Sequence, residues 1–155
     1  MTFFSNADNL DPSNKLPFMP PKFRGRVRVD VCKGVTKRNG DKMFLCEFTV
    51  LSTNLPETVS VGGRHSWSQN MKEVETATRA CISFLYAALG LDPSRDKARI
   101  DSEVKPKQNM LLNNAASDAN PLAGAEVDLQ TDEITTKANK PFTVHTFSAV
   151  AKAAA

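Results

Sequence analysis

Arg24-Gly25-Arg26-Val27-Arg28-Val29-Asp30-Val31 and, a turn later, Lys42-Met43-Phe44-Leu45-Cys46-Glu47-Phe48-Thr49-Val50-Leu51 form the stretch whose reading decides the fold. In the first run valine and arginine alternate, so a β-strand puts the valines on one face and the arginines on the other. The second run can place Phe44, Cys46, Phe48 and Val50 on a single face. Between them lies Lys37-Arg38-Asn39-Gly40-Asp41, whose Asn-Gly supplies the positive φ angles of a tight hairpin. The spacing predicts a sheet with one dry and one wet face. Arginine on the wet face makes it a candidate binding surface, although solvated strands also carry Lys and Arg for solubility and edge protection.

The 155-residue chain is 41% hydrophobic and 24% charged, which suits one domain with its own core. Its net charge of +3 is unevenly spread. Lys22–Lys42 holds eight Lys/Arg against two Asp, so the remainder is net negative and the chain has a local basic patch that favours polyanions. The three cysteines, Cys32, Cys46 and Cys81, are widely spaced with no Cys-x-x-Cys pair. Cys46 and Cys81 sit in apolar patterns, where a thiol behaves as a small hydrophobe. An odd cysteine count without a secretory signal predicts a reducing, cytoplasmic setting. No segment approaches the roughly 18 apolar residues of a membrane span, so no membrane partner is expected.

Outward from the opening hairpin, residues 1–21 read as an extended arm. Pro12, Pro17, Pro20 and Pro21 block regular structure, and Phe3, Phe4 and Phe18, with Phe23 just beyond, are apolar anchors. These would staple the arm to its own domain or dock it on a neighbouring subunit. A third extended run, Glu57–Trp67, contains Gly62-Gly63, which predicts a bulge or bend inside the strand. Met71–Leu89 has the clearest helical spacing, with Asn70 and Glu73 as its cap and Gly90 as its stop. A weaker helix is predicted from Asp92-Pro93 to Val104, and residues 105–120 read as a long connection. Strand signals return in Ala125–Gln130 and Phe142–Val150, where Phe142 and Phe147 fall on opposite faces and His145 is expected to be exposed. The tail, residues 151–155, has no acidic cluster.

The order strand, strand, strand, helix, linker, strand, strand is that of an OB-fold, a five-stranded Greek-key barrel with a helix between strands 3 and 4. Another α+β sheet with a covering helix shares this pattern. The domain is expected to span residues 22–150. The chain resembles the OB-fold single-stranded DNA-binding proteins of bacteriophage replication and recombination modules. The likeness rests on Arg26–Val31, Thr36-Lys37…Asn39-Gly40…Phe44…Glu47-Phe48…Val50-Leu51 and Val61-Gly62-Gly63…Ser66-Trp67. It continues in Leu89-Gly90-Leu91, Asn120-Pro121-Leu122-Ala123-Gly124 and Thr136-Lys137…Lys140-Pro141-Phe142-Thr143. This resemblance implies a host-cell cytoplasmic protein that coats single-stranded DNA and works beside replication or recombination proteins. Many such proteins end in an acidic partner-recruiting tail, which Ala151-Lys152-Ala153-Ala154-Ala155 is not.

Single-strand binding without sequence preference needs cations along the phosphates and flat side chains under the bases. Arg24, Arg26, Arg28, Lys33, Lys37, Arg38 and Lys42 are the candidate phosphate contacts. In Arg64-His65-Ser66-Trp67, a cation and an imidazole flank the only tryptophan, so Arg64, His65 and Trp67 complete the candidate site. Trp67 would stack on bases or pack in the core. Nothing in the sequence chooses DNA over RNA, because no reader of the 2′-hydroxyl stands out. Catalytic signatures are missing: the two histidines are far apart, no Cys/His cluster has metal-ligand spacing, and Val61-Gly62-Gly63-Arg64 lacks the ending of a P-loop. The expectation is a non-enzymatic protein without metal or cofactor. It would bind single strands in a basic groove, or else act as an interaction module that oligomerises through its N-terminal arm.

Overall fold

The computed structural model describes residues 16–150; Phe3, Phe4, most of the expected arm and the tail lie outside that range. Five strands, β1 (Arg24–Thr36), β2 (Lys42–Val50), β3 (Arg64–Asn70), β4 (Glu126–Thr135) and β5 (Pro141–Ala149), form one antiparallel sheet in the order β3-β2-β1-β4-β5. Three successive strands with a fourth returning beside the first make a Greek key. The sheet is open, with β3 and β5 as its edges and no ladder joining them.

The predicted alternation in β1 holds up to Val29 and then breaks. Val27 and Val29 are buried and Arg26 and Arg28 face out. A bulge at Asp30 shifts the register, pairing Val29 with Phe48 but Val31 with Glu47. Asp30 is the extra residue, so Val31 turns outward and Cys32 takes the next inward position. In β2 the alternation is complete, with Phe44, Cys46, Phe48 and Val50 buried.

Helix α1 (Val74–Ala88) covers the inner face, burying Ala77, Cys81, Phe84, Leu85 and Ala87. Phe84 packs among Phe44, Phe48, Trp67 and Phe147, with ring centroids 5.0–6.4 Å away. Gly90, at φ +76, ends the helix as expected, since its left-handed conformation lets Leu91 N–H reach the Tyr86 carbonyl. At the other end Asn70 does not cap the helix; its Oδ1 accepts from Lys72 N–H in the turn before it.

Two further expectations change. Gly62-Gly63 lies in a turn ahead of β3 rather than inside a strand, and Val61 is exposed. The weaker helix expected over residues 92–104 is present from Lys97, as a short helix α2 (Lys97–Arg99) and a π-turn (Ile100–Val104), while the expected connection 105–120 continues it through a 3₁₀ turn (Lys105–Lys107) into α3 (Gln108–Ala115). Ile100 and Val104 form a small apolar cluster with Leu91, against which Tyr86 and Leu111 pack. That burial stabilises the continuation, which is too polar to be read as a helix locally.

The described part of the arm is stapled to its own domain. Ser66 N–H donates to the Pro17 carbonyl, placing Phe18 beside Ser66 at the β3 edge. Met19 and Phe23 are buried, and Thr131 Oγ1 accepts from Phe23 N–H while donating to the Pro20 carbonyl.

Candidate nucleic-acid interface

The β2–β3 register decides which predicted site residues share a face. Thr49 pairs with Arg64 and Glu47 with Ser66 on the outer side, whereas Phe48 pairs with His65 and Cys46 with Trp67 on the inner side. Arg64 therefore joins Arg26 and Arg28 on the outer face. His65 and Trp67 do not: they lie on the opposite side of the sheet. Trp67 is only 5% exposed and touches Phe44, Phe84 and Phe147, so it has no ring face free for a base. This corrects the expected groove between the arginine row and the tryptophan. The physical reason is parity: with β3 starting at Arg64, every second residue turns toward α1.

The outer arginines are held by carboxylates. Arg28 Nε lies 3.3 Å from Asp30, and Arg64 contacts both Asp30 (3.6 Å) and Glu47 (3.2 Å). Thr49 Oγ1 donates to the same Asp30 carboxylate at 2.6 Å, so the bulge residue organises this cluster. Arg26 Nε meets Asp128 at 3.2 Å. Arg26 and Arg28 are thus engaged through Nε, which leaves their terminal nitrogens to donate to a ligand. Arg24 is different. Its guanidinium donates to the Phe23 and Thr131 carbonyls, both at 2.8 Å, and pairs with Asp132 at 2.7 Å. The Arg24 hydrogen bond also holds the Asp132 carboxyl below its ordinary range. Arg24 is a strut between β1 and β4 rather than a spare cation.

Among the described residues, Lys33, Lys37, Arg38 and Lys42 make no ion pair. Lys33 follows inward Cys32 on β1 and so faces out, Lys37 and Arg38 lie in the β1–β2 hairpin, and Lys42, in phase with inward Phe44, lines the cavity between the hairpin, α1 and α3 instead of the outer face. Among the predicted site cations on this face, the unneutralised positive charge therefore lies toward that hairpin, beyond the arginine row.

Two exposed aromatics were not singled out as site residues by the sequence. Phe18 is 54% exposed beside Ser66 on the β3 edge. Phe142 is 57% exposed, directly across from exposed Ile134 on the outer face of β4–β5, near Lys137 and Lys140. The opposed orientations of Phe142 and Phe147 were legible in the strand parity, but the docking of Phe18 depends on a contact 48 residues away in sequence.

His145 is not exposed as expected. It shares the inner face with Phe147, its ring centroid lies 6.4 Å from that of Trp67, and its Nε2 is buried without a hydrogen-bond partner. Burial pushes its pKa down to about 4. His65 Nδ1 is likewise buried without a partner. Among the described residues, no three His, Cys, Asp or Glu side chains converge in a metal-ligand arrangement, and no helix is long and apolar enough to cross a membrane. In comparisons with known proteins, the chain matches no family model and no curated protein.

Proposed function

We propose that this protein binds single-stranded nucleic acid, with the phosphates running along the outer face of β1–β3 toward the β1–β2 hairpin. The observation that carries this reading is the convergence of Arg26, Arg28 and Arg64 on one sheet face, continued by the unpaired Lys33 and by Lys37 and Arg38 of the hairpin. In an OB-fold, a partly open five-stranded Greek-key barrel, the strand 2–3 face and the first hairpin are the usual oligonucleotide surface. The β4-β1-β2-β3 Greek key, the helix between β3 and β4, and the meeting of Trp67 and Phe147 between the two edge strands favour that architecture here. Phe18 replaces Trp67 as the stacking candidate, because it is the exposed aromatic at the rim of this face. Binding of this kind involves no bond-making, and its affinity falls with salt as phosphates displace counterions.

The test is fluorescence anisotropy of a labelled oligo-dT across a salt series, with unlabelled RNA and duplex DNA as competitors. The expected result is binding that weakens log-linearly with salt, with single strands outcompeting the duplex. A protein that leaves the oligonucleotide free at low salt, or prefers the duplex, overturns the reading.

A further inference from the structure

Cys32 and Cys46 stand directly opposite each other on β1 and β2, with their sulfurs 3.1 Å apart in the core. They owe this to the Asp30 bulge: were Asp30 paired in regular register, Val31 would stand opposite Cys46 and Cys32 would lie on the outer face. The Cys32 N–H donates away from β2, to Asn120 Oδ1. Its neighbours in phase do the same: Gly34 N–H donates to the Ala116 carbonyl. Cys32 and Cys46 therefore form a non-hydrogen-bonded cross-strand pair, the kind whose Cα atoms are about 4.5 Å apart and whose side chains are closest. That separation falls within the roughly 4.4–6.8 Å span a disulfide bridges. The sulfurs need to approach by only about 1 Å to reach bonding distance.

We propose that Cys32 and Cys46 are an oxidisable dithiol, converted by a small peroxide into an intramolecular disulfide that locks β1 to β2 just before the basic hairpin. In the first step one thiol is oxidised by hydrogen peroxide to a sulfenic acid, releasing one water. The second thiol then attacks that sulfur, its proton leaves with the hydroxyl as a second water, and the S–S bond forms. Two thiols lose two electrons and one peroxide gains them. Cys81 is the internal control. It belongs to the same core but comes from α1 and lines a cavity of about 390 Å³ between the hairpin, α1 and α3. It has no cross-strand partner, so exposure to peroxide and the capacity to pair are separable.

The experiment is intact mass and thiol counting of the folded chain after hydrogen peroxide treatment, followed by non-reducing peptide mapping. The expected result is the loss of two hydrogens, one thiol left to alkylate after unfolding, and a Cys32–Cys46 linked peptide that dithiothreitol releases. Cys81→Ser should form the same bridge, while Cys32→Ala and Cys46→Ala should each abolish it, with circular dichroism confirming that they fold. Added oxygen without a bridge, a bridge involving Cys81, or three reduced thiols would overturn the proposal. None of these outcomes depends on nucleic-acid binding.

Discussion

The indole of Trp67 and the ring of Phe147 meet edge to face, with centroids 4.8 Å apart, and tie together the two edge strands that no backbone ladder connects. Phe84 of α1 completes the contact at 5.6 Å from the first and 5.0 Å from the second. This side-chain seam holds the open side of the sheet against its helix. Trp67→Ala should therefore cost about 3–5 kcal/mol of stability, and Trp67→Phe markedly less, in urea unfolding followed by circular dichroism. Native Trp67 emission should be blue-shifted and unmoved by added oligonucleotide. A saturable shift with oligo-dT would contradict the burial.

Gly25 is required by close approach rather than by an unusual backbone angle. A Cβ there would sit 2.1 Å from the Ser52 carbonyl oxygen and 2.7 Å from the Phe23 ring. Gly25→Ala must push the Leu51–Ser52 backbone away from β1, where Leu51 and Ser52 N–H donate to the Arg26 carbonyl. The expected loss is about 1–3 kcal/mol, or more if the backbone cannot yield. At Gly34 the nearest atom would be Ala116 Cβ at an ordinary 3.6 Å, so Gly34→Ala should be far milder. Denaturant midpoints of the two variants give the comparison.

The division of the basic residues predicts separable phenotypes. Lys33→Ala, Lys37→Ala and Arg38→Ala should keep wild-type stability and each flatten the salt dependence of single-strand binding by roughly 0.7 in the log–log slope. Arg24→Ala should chiefly destabilise the fold, because it releases the Phe23 and Thr131 carbonyls and Asp132. Salt-series anisotropy together with thermal melts distinguishes the two classes. Equal loss of affinity in all four at unchanged stability would show that Arg24 contacts the ligand instead.

His145 makes stability depend on pH. Desolvation lowers its folded pKa to about 4, below the roughly 6.5 of an unfolded histidine, so the unfolded chain binds the proton more tightly. Its contribution is complete above pH 6.5 and is lost as the pH falls toward 4, amounting to at most about 3 kcal/mol. Urea midpoints between pH 7 and pH 4 should fall for the wild type and flatten for His145→Gln. An unchanged slope in that variant would assign the titration elsewhere.

The strand–strand–strand–helix–strand–strand order was legible, because each element's period is written in its own residues. Val27 and Val29, and Phe44, Cys46, Phe48 and Val50, are buried as their alternation predicts. The errors are also local in origin. Glycines next to Val61 read as strand irregularities, but the strand begins after them. Residues 105–120 read as a connection because only Met110-Leu111-Leu112 is apolar there, and what holds the helix is burial against residues from α1 and beyond: Leu111 and Leu112 pack on the main core, and Leu111 also on the Leu91 cluster.

For the interface, the sequence by itself determined that arginines alternate with valines and so face away from the core. It could not determine what those arginines meet. Arg26 finds Asp128 and Arg24 finds Asp132, partners 102 and 108 residues away, and only the β1–β4 register brings them together. Nor could it place Trp67, whose side depends on where β3 begins and how it pairs with β2. Alternation is a property of one strand, whereas neutralisation and burial belong to pairs of strands. The tertiary structure therefore turned an evenly basic face into a carboxylate-held arginine row with its unpaired charge displaced to Lys33 and the hairpin.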